Sequence, residues 1–574
     1  MIILFSIQII PENFFPVYPQ LKSEKIDYYK KGNDLNYYEA SQDINNNKKP
    51  LQISIDFGNY KTSYSYCFDT SINDIHSGVI HPTVVILYKS NLTAKNFGQK
   101  SMNSIVNYND EEKKQIIYYS KLKSKLYNAQ KRKKDLNIKK AVIEFLRLFS
   151  DTALNEINSL QDINKYEKYE VNWTLTVPGT LDEYSKILIV ECAKKAGLNN
   201  LIISLESEAG TLDFYHDNSI NYEYKKQGKI FMIIDIGAYK ADILINEIIN
   251  KYGDIKELTI PLGDNFGSNN INNDIRKIIK DIFGKNALKK VKDNQIEKYF
   301  ELMDEIEKIK INFKSYKDDE LNGYIQIKAR FDKIINNDRS QSFEEYIIKY
   351  DNMNRRILFP KKLINQIIKK RIIELIDYIK KIKSEYQKYK IDYMILLGGF
   401  SNCDILQTEF KKNFQSIKIF TLINPEKSIM NGALIFSANQ KRIKIRKNQY
   451  KYGIISFKEY ENNHICKKTE FKSNIQYCQY MDMIAGKEIE NKYIYTKTIA
   501  PASSNQDKIY LNIFRTKGEE LTNSKNDYFG TLEININYYT KVNIIIAFST
   551  YIEYYALDLI NSLKLNINFY SKEE

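Results

Sequence analysis

Histidine and cysteine are both scarce in this sequence: four His and five Cys among 574 residues. The cysteines stand alone at positions 67, 192, 403, 466 and 478, with no Cys-x-x-Cys pair. That excludes a zinc constellation and argues against a disulfide framework, because an odd and scattered set suits a reducing compartment. Long apolar runs are also missing. No segment approaches the roughly 20 apolar residues a membrane span needs. The opening "MIILFSIQII" has neither a basic leader nor a small-residue cleavage site, so a cytoplasmic protein without a membrane span is expected. Acidic residues are outnumbered, 71 against 86 Lys and Arg, for a net charge of +15. The excess is spread along a chain rich in Lys, Asn, Ile and Tyr. It is read as compositional, with "KRKK" at 131–134 as a solvated face, and no specific nucleic-acid site is expected.

What remains is ample material for more than one core: 43% of residues are hydrophobic and 27% charged. Residues 1–49 are Asn-, Lys- and Tyr-rich with little periodicity and read as an N-terminal extension. From residue 50 strand-like and helix-like segments alternate, as in "LQISIDFG", "VNWTLTVPG", "LIISLE", "KIFMIIDIG" and "YMILLGG", with helical periodicity over 138–157, 184–198, 298–316 and 361–390. After about 446 helical periodicity fades into short alternating runs, "KIYLNIF", "GTLEININY", "VNIIIAF" and "IEYYALDL" among them. The expected layout is an α/β region over 50–445 and a small β-rich domain over 446–574.

Within the α/β region one pattern occurs twice. "IDFGNYK" begins at Ile55 and "IDIGAYK" at Ile234, each closing an apolar strand. Glycine lets backbone approach a phosphate, and an Asp at the strand end can hold a hydrated Mg²⁺. Two copies in two similar halves point to a duplicated fold with a phosphate held between two facing hairpins.

Here the sequence resembles the actin-like ATPase superfamily, within it the 70-kDa heat-shock protein family, and most of all the divergent heat-shock 70 kDa protein 12 branch. The two "IDxGxYK" segments are similar to the two phosphate loops. "WTLTVPGTLDEYSKILIVECAKKAGL", "ISLESEAGTLDFY", "LGDNFGSNNINNDI", "EIEKIKINF", "LLGGFSNCDILQ" and "INPEKSIMNGA" follow in the family's order. The resemblance implies a duplicated actin-like (ribonuclease H-like) two-lobed ATPase domain, followed by the β-rich domain. It also implies binding of ATP or ADP with Mg²⁺.

Carried over by residue, Asp56 and Asp235 would face Mg²⁺ through water, with Glu206 beside them near the attacking water. Lys123 matches a γ-phosphate lysine, with Lys121 and Lys125 competing for the role. Gly58, Lys61, Gly237, Lys240 and Asp242 line the two loops. Gly263 and Gly267 form the turn facing the phosphates. Glu307, Lys308 and Lys310 match the adenosine-side helix, and Gly398 and Gly399 the adenosine-side turn. Asp242 also fits a pairing role within its hairpin, and Lys308 and Lys310 also fit a solvated helix face.

Three departures bear on activity. Asn59 and Tyr60 stand where the family carries two threonines. Tyr239 and Lys240 replace glycine and threonine in the second loop. Ile311 stands where an arginine stacks on adenine. The expectation is Mg²⁺–ATP binding with weak or degenerate hydrolysis and a chaperone-like or regulatory role, with polypeptide clients or co-chaperones as partners. A non-catalytic scaffold or sensor on the same fold is the alternative. A sugar or acid kinase on this fold fits the motif order least.

Overall fold

The computed structural model describes residues 49–571 except for short internal stretches, the longest being 315–320, 329–339, 460–466, 471–475 and 522–526. The expected N-terminal extension therefore lies outside the described residues, apart from Lys49. The chain divides into two compact units. Residues 48–181 with 189–442 form the larger, and 443–574 with 182–188 the smaller.

The larger unit contains the same sheet twice. In the first lobe β1 (Gln52–Phe57) pairs antiparallel with β2 (Lys61–Cys67) and parallel with β3 (Asn172–Val177), which pairs parallel with β4 (Asn200–Leu205). In the second lobe β5 (Ile230–Ile236) pairs antiparallel with β6 (Ala241–Ile248) and parallel with β7 (Tyr393–Leu397), which pairs parallel with β8 (Lys418–Thr421). Each lobe thus has one strand that turns back on itself on one side and meets crossover strands on the other. This is the duplicated actin-like architecture. β1 and β5 are isoleucine-rich and buried almost throughout, as expected of strands covered on both faces.

The helices that matter for the site are α1 (Leu122–Arg132), α2 (Glu206–His216), α3 (Asn269–Phe283), α4 (Ile296–Asn312) and α5 (Ser428–Ala438). α3 buries Ile271, Ile275, Ile278, Ile279 and Ile282, an i, i+3, i+4 stripe facing the second-lobe core. α2 and α5 pack through small residues, Ala209 and Ala433 among them. Gly432 allows the approach, since a Cβ there would run into the Ala209 carbonyl. A three-stranded sheet (84–88, 94–97, 116–120) and a four-stranded one (324–328, 340–343, 346–351, 356–360) extend the two lobes.

The smaller unit holds two antiparallel sheets, one running 467–470, 476–485, 451–459, 508–516, 528–535, 567–571 and the other 493–499, 542–548, 552–558, 564–565. Their alternating faces share one core, including Ile454, Leu511, Leu532, Ile544 and Ile546. Among the described residues no helix is long and apolar enough to cross a membrane.

Candidate active site

The first turn of α2 begins where β4 ends, so Glu206 is delivered to the carboxyl edge of the first-lobe sheet. Asp56 lies near the end of β1, and the parallel pairing of β1 with β3 sets Thr176 beside it. The Thr176 hydroxyl donates to Asp56 Oδ1 at 3.1 Å. In the second lobe Asp235 and Asp242 are direct cross-strand partners on β5 and β6. Thr180 Oγ1 donates to Asp242 Oδ1 at 2.9 Å. Lys123, in the first turn of α1, is 8% exposed and its Nζ meets Glu206 Oε1 at 2.6 Å.

One buried ammonium therefore stands among four acids. Burial works against the Lys123 charge, but Glu206, Asp56 and Asp242 outweigh it and raise the lysine pKa above its ordinary value. The acids fare worse. Burial, then Glu206, push Asp56 up to about 6 despite Lys123 and the Thr176 hydrogen bond. Burial and Glu206 also bring Asp242 up to about 6, with Thr180, Lys240 and Lys123 pulling back. Asp235 is raised well above the usual carboxylate range by burial, Glu206, Asp242 and Asp56, and its Oδ1 is buried without a hydrogen-bond partner. Such an excess of oxygen donors fits a hard divalent cation. Among the described residues no three His, Cys, Asp or Glu are arranged to hold a metal ion directly.

The protonation of these acids has a measurable consequence. A carboxylate whose folded pKa exceeds its unfolded value favours folding fully below the unfolded pKa, and that contribution is lost as pH rises through the folded pKa. For Asp56 and Asp242 the window runs from the ordinary carboxylate value of 3.8 to about 6. Each group alone accounts for on the order of 2–3 kcal/mol. The urea midpoint of the ligand-free protein should thus fall, relative to that of Asp56→Asn, between pH 4.5 and 7. Parallel curves for the two proteins would contradict the burial argument.

The second loop is tied down by its carbonyls. Gly267, Ser268 and Asn269 donate their amides to the carbonyls of Tyr239, Gly237 and Ala238 at 3.3, 3.1 and 2.8 Å. The amides that open α3 are thereby occupied by the loop, and the Tyr239 side chain is turned outward, 41% exposed. Lys61 and Lys240 are both exposed at the starts of the return strands, and Gly58 and Gly237 sit in the two hairpin turns. Gly263 pairs with Asp242. Gly398 has φ +80° and lies against Asp235, where a Cβ would stand 2.5 Å from Oδ1. Gly399 begins the short 3₁₀ turn that follows.

On α4 the two lysines separate. Lys310 is 3% exposed, pairs with Glu307 at 2.6 Å and donates to Ser268 Oγ at 2.9 Å. Lys308 turns to its own helix and pairs with Asp304 at 2.7 Å. Lys61 lies close enough to Lys310 to act on its charge. The structure thus gathers Asp56, Lys123, Glu206, Asp235 and Asp242 at the joined ends of the two sheets and leaves Lys308 apart. Thr176 and Thr180, which hold two of these acids, escaped the reading of the sequence. Their signal was available: polar residues at the buried end of "TLTVPGT", beside a strand that carries an acid.

The Hsp70 protein family model matches residues 95–443. Heat shock 70 kDa protein 12A of Mus musculus is 22% identical over 563 aligned residues, covering 82% of this chain and 82% of that protein. Heat shock 70 kDa protein 12B of Homo sapiens is 19% identical over 568, covering 82% and 81%. Among solved structures, MreB 5 of Spiroplasma citri bound to AMPPNP aligns with a TM-score of 0.43 and 15% identity, covering 68% of this chain and 97% of that one. The family model spans more than half of the sequence, and heat shock 70 kDa proteins 12A and 12B align along most of their length: the chain belongs to the Hsp70 family.

Proposed function

We propose that this protein binds Mg²⁺–ATP between the two lobes of its larger unit and hydrolyses it slowly. The observation that carries the reading is the buried set of Asp56, Glu206, Asp235 and Asp242 around one lysine, with Asp235 Oδ1 unsatisfied. Four acids and one ammonium leave a negative surplus that a bound cation would neutralise. When bound, Mg²⁺ would neutralise phosphate charge and orient the terminal phosphoryl group. Asp56 and Asp235 would hold its water shell, with Thr176 fixing the first of them. Glu206 would orient the attacking water and accept its proton, while Lys123, already placed on Glu206 by the 2.6 Å ion pair, keeps that carboxylate in position. Lys310 and Glu307 would meet the nucleoside side.

Slow turnover follows from the loops. Asn59, Tyr60, Tyr239 and Lys240 supply no threonine hydroxyl to a phosphate. The amides of 267–269 are already given to loop carbonyls, so fewer preorganised donors remain for developing charge. Titration with a fluorescent ATP analogue should saturate at sub-millimolar to millimolar nucleotide only with Mg²⁺ present. No Mg²⁺-dependent signal would end the proposal. The double change Tyr239→Gly with Lys240→Thr should raise affinity or single-turnover rate by about tenfold, the worth of one recovered phosphate hydrogen bond. If neither moves, the loop is not what limits the site.

Mg²⁺-dependent binding with no turnover in either protein would favour the second reading, a non-catalytic scaffold or sensor, to which the lost hydroxyls also point. A cytoplasmic, chaperone-like role acting on polypeptide clients through residues 443–574 belongs to the first reading. ATP should then change how well the protein delays aggregation of a denatured client.

A further inference from the structure

Lys121 is placed unfavourably in four ways at once. Its backbone is left-handed, with φ +57°, a conformation that strains a residue bearing a Cβ. Its carbonyl accepts from the Lys125 amide at 3.0 Å, so it stands at the N-terminal end of α1, where the helix dipole disfavours a cation. Its charge is partly buried, and after burial the main influences on it are three further cations, Arg276, Lys125 and Lys292, all of which lower its pKa. Among the described residues it forms no ion pair with a carboxylate. Its ammonium rests instead 5.2 Å from the centre of the Tyr60 ring.

The surroundings offer unused donors. The Tyr60 hydroxyl, Arg276 Nε and Asn59 Nδ2 are all buried without a hydrogen-bond partner. Arg276, on α3 of the second lobe, is close enough to Tyr60 to pull against the burial and the Glu307 charge that raise the phenol to about 12. Its one hydrogen bond among the described residues is from Nη1 to Asn273 Oδ1 at 3.3 Å. Glu307, the nearby acid, is already taken by Lys310 and by the Asn272 amide. The Asn59 side chain also fixes the start of α1, its Oδ1 accepting from the Ser124 amide at 3.1 Å.

We propose that Lys121, Arg276 and the Tyr60 hydroxyl form a second anion site, separate from the buried acids, that takes a phosphoryl group. A single anion there would relieve the like-charge crowding, satisfy the orphaned donors and complement the positive end of α1. It would also give the tyrosine of the first "IDxGxYK" a function: its ring is the platform for Lys121 and its hydroxyl a donor. Lys123, two residues on, is paired with Glu206 among the acids, so the two lysines serve two sites. The inference does not rest on nucleotide binding. The phosphoryl group can come from a free pyrophosphate-type anion or from the end of a nucleotide bound in the cleft.

Calorimetric titration of the full chain with pyrophosphate, in EDTA, isolates this site, because the metal-free acids repel the probe. The wild type should bind saturably, and Lys121→Gln with Arg276→Gln should weaken binding by about tenfold or more, the usual loss for charge-assisted hydrogen bonds. Lys121→Arg, which keeps the charge, should retain it, which separates loss of the site from loss of fold. Asp235→Asn, which removes one of the charges that repel the probe, should bind pyrophosphate no more weakly than the wild type. Parallel titrations with Mg²⁺–ATP identify the source. A loss of ATP affinity in the double variant assigns the group to the nucleotide, and unchanged ATP affinity assigns it to a free anion. No saturable heat up to about 10 mM pyrophosphate, or equal binding by wild type and double variant, would overturn the proposal.

Discussion

Asp235→Asn should make the ligand-free protein more stable and at the same time remove its Mg²⁺-dependent nucleotide binding. The carboxylate is buried with Glu206, Asp242 and Asp56 acting on it, and one of its oxygens has no partner. At pH 7.5 holding this group in the folded state costs free energy, either as an unfavourable charge or as a proton taken up. The amide has nearly the same shape and no charge. Relief on the order of 1–3 kcal/mol should raise the thermal midpoint by about 2–8 °C. The same change removes an anionic donor from a site that fits a cation by its surplus of anionic donors. Mg²⁺–ATP affinity should fall by about a hundredfold or more. Stability and function therefore move in opposite directions, which a packing residue would not show. Should the midpoint drop and ATP affinity drop with it, Asp235 would be a structural residue.

Much of this site was legible because its identity lies in local, repeated chemistry. An Asp at the end of an apolar strand, followed by a glycine-bearing turn, fixes both the hairpin and the place of the acid, and β1–β2 and β5–β6 follow those two segments closely. The long periodic elements were equally plain. The spacing over 361–390 appears as a helix over Lys361–Glu385, and "VNIIIAF" is the strand Val542–Phe548. Boundaries were less clear. "LIISLE" reads as one strand, yet Glu206 already opens α2, because the acid gains from the helix N-terminus.

Charge partners were the least legible. Nothing in "KLKSKLY" distinguishes the lysine buried on Glu206 from the one resting on Tyr60. That depends on one left-handed residue at position 121 and on which helix face meets the first loop. Lys308 and Lys310 look alike in "EIEKIKINF", but two residues on a helix are about 200° apart. Only Lys310 can reach Ser268.

The ion pair between Lys123 and Glu206 gives the second large effect. Lys123→Ala leaves Asp56, Glu206, Asp235 and Asp242 with no buried ammonium among them. Removing one partner of a buried pair typically costs about 3–5 kcal/mol, because the surviving charge is left uncompensated. Urea unfolding at pH 7.5 should report a loss of that size for Lys123→Ala. The double change Lys123→Ala with Glu206→Ala should recover about 2–3 kcal/mol of it, since it removes the acid that presses most on Asp56, Asp235 and Asp242. Additive losses would mean that the 2.6 Å contact carries no coupling. Lowering the pH to 5.5 should shrink the deficit of the single variant, because acids with folded pKa values of about 6 then take up protons in place of the missing ammonium. Millimolar Mg²⁺ at pH 7.5 should shrink it too, and only if these acids can share a cation. A Lys123→Ala protein that responds to protons and not to Mg²⁺ would keep the electrostatic account of the cluster and remove the metal from it.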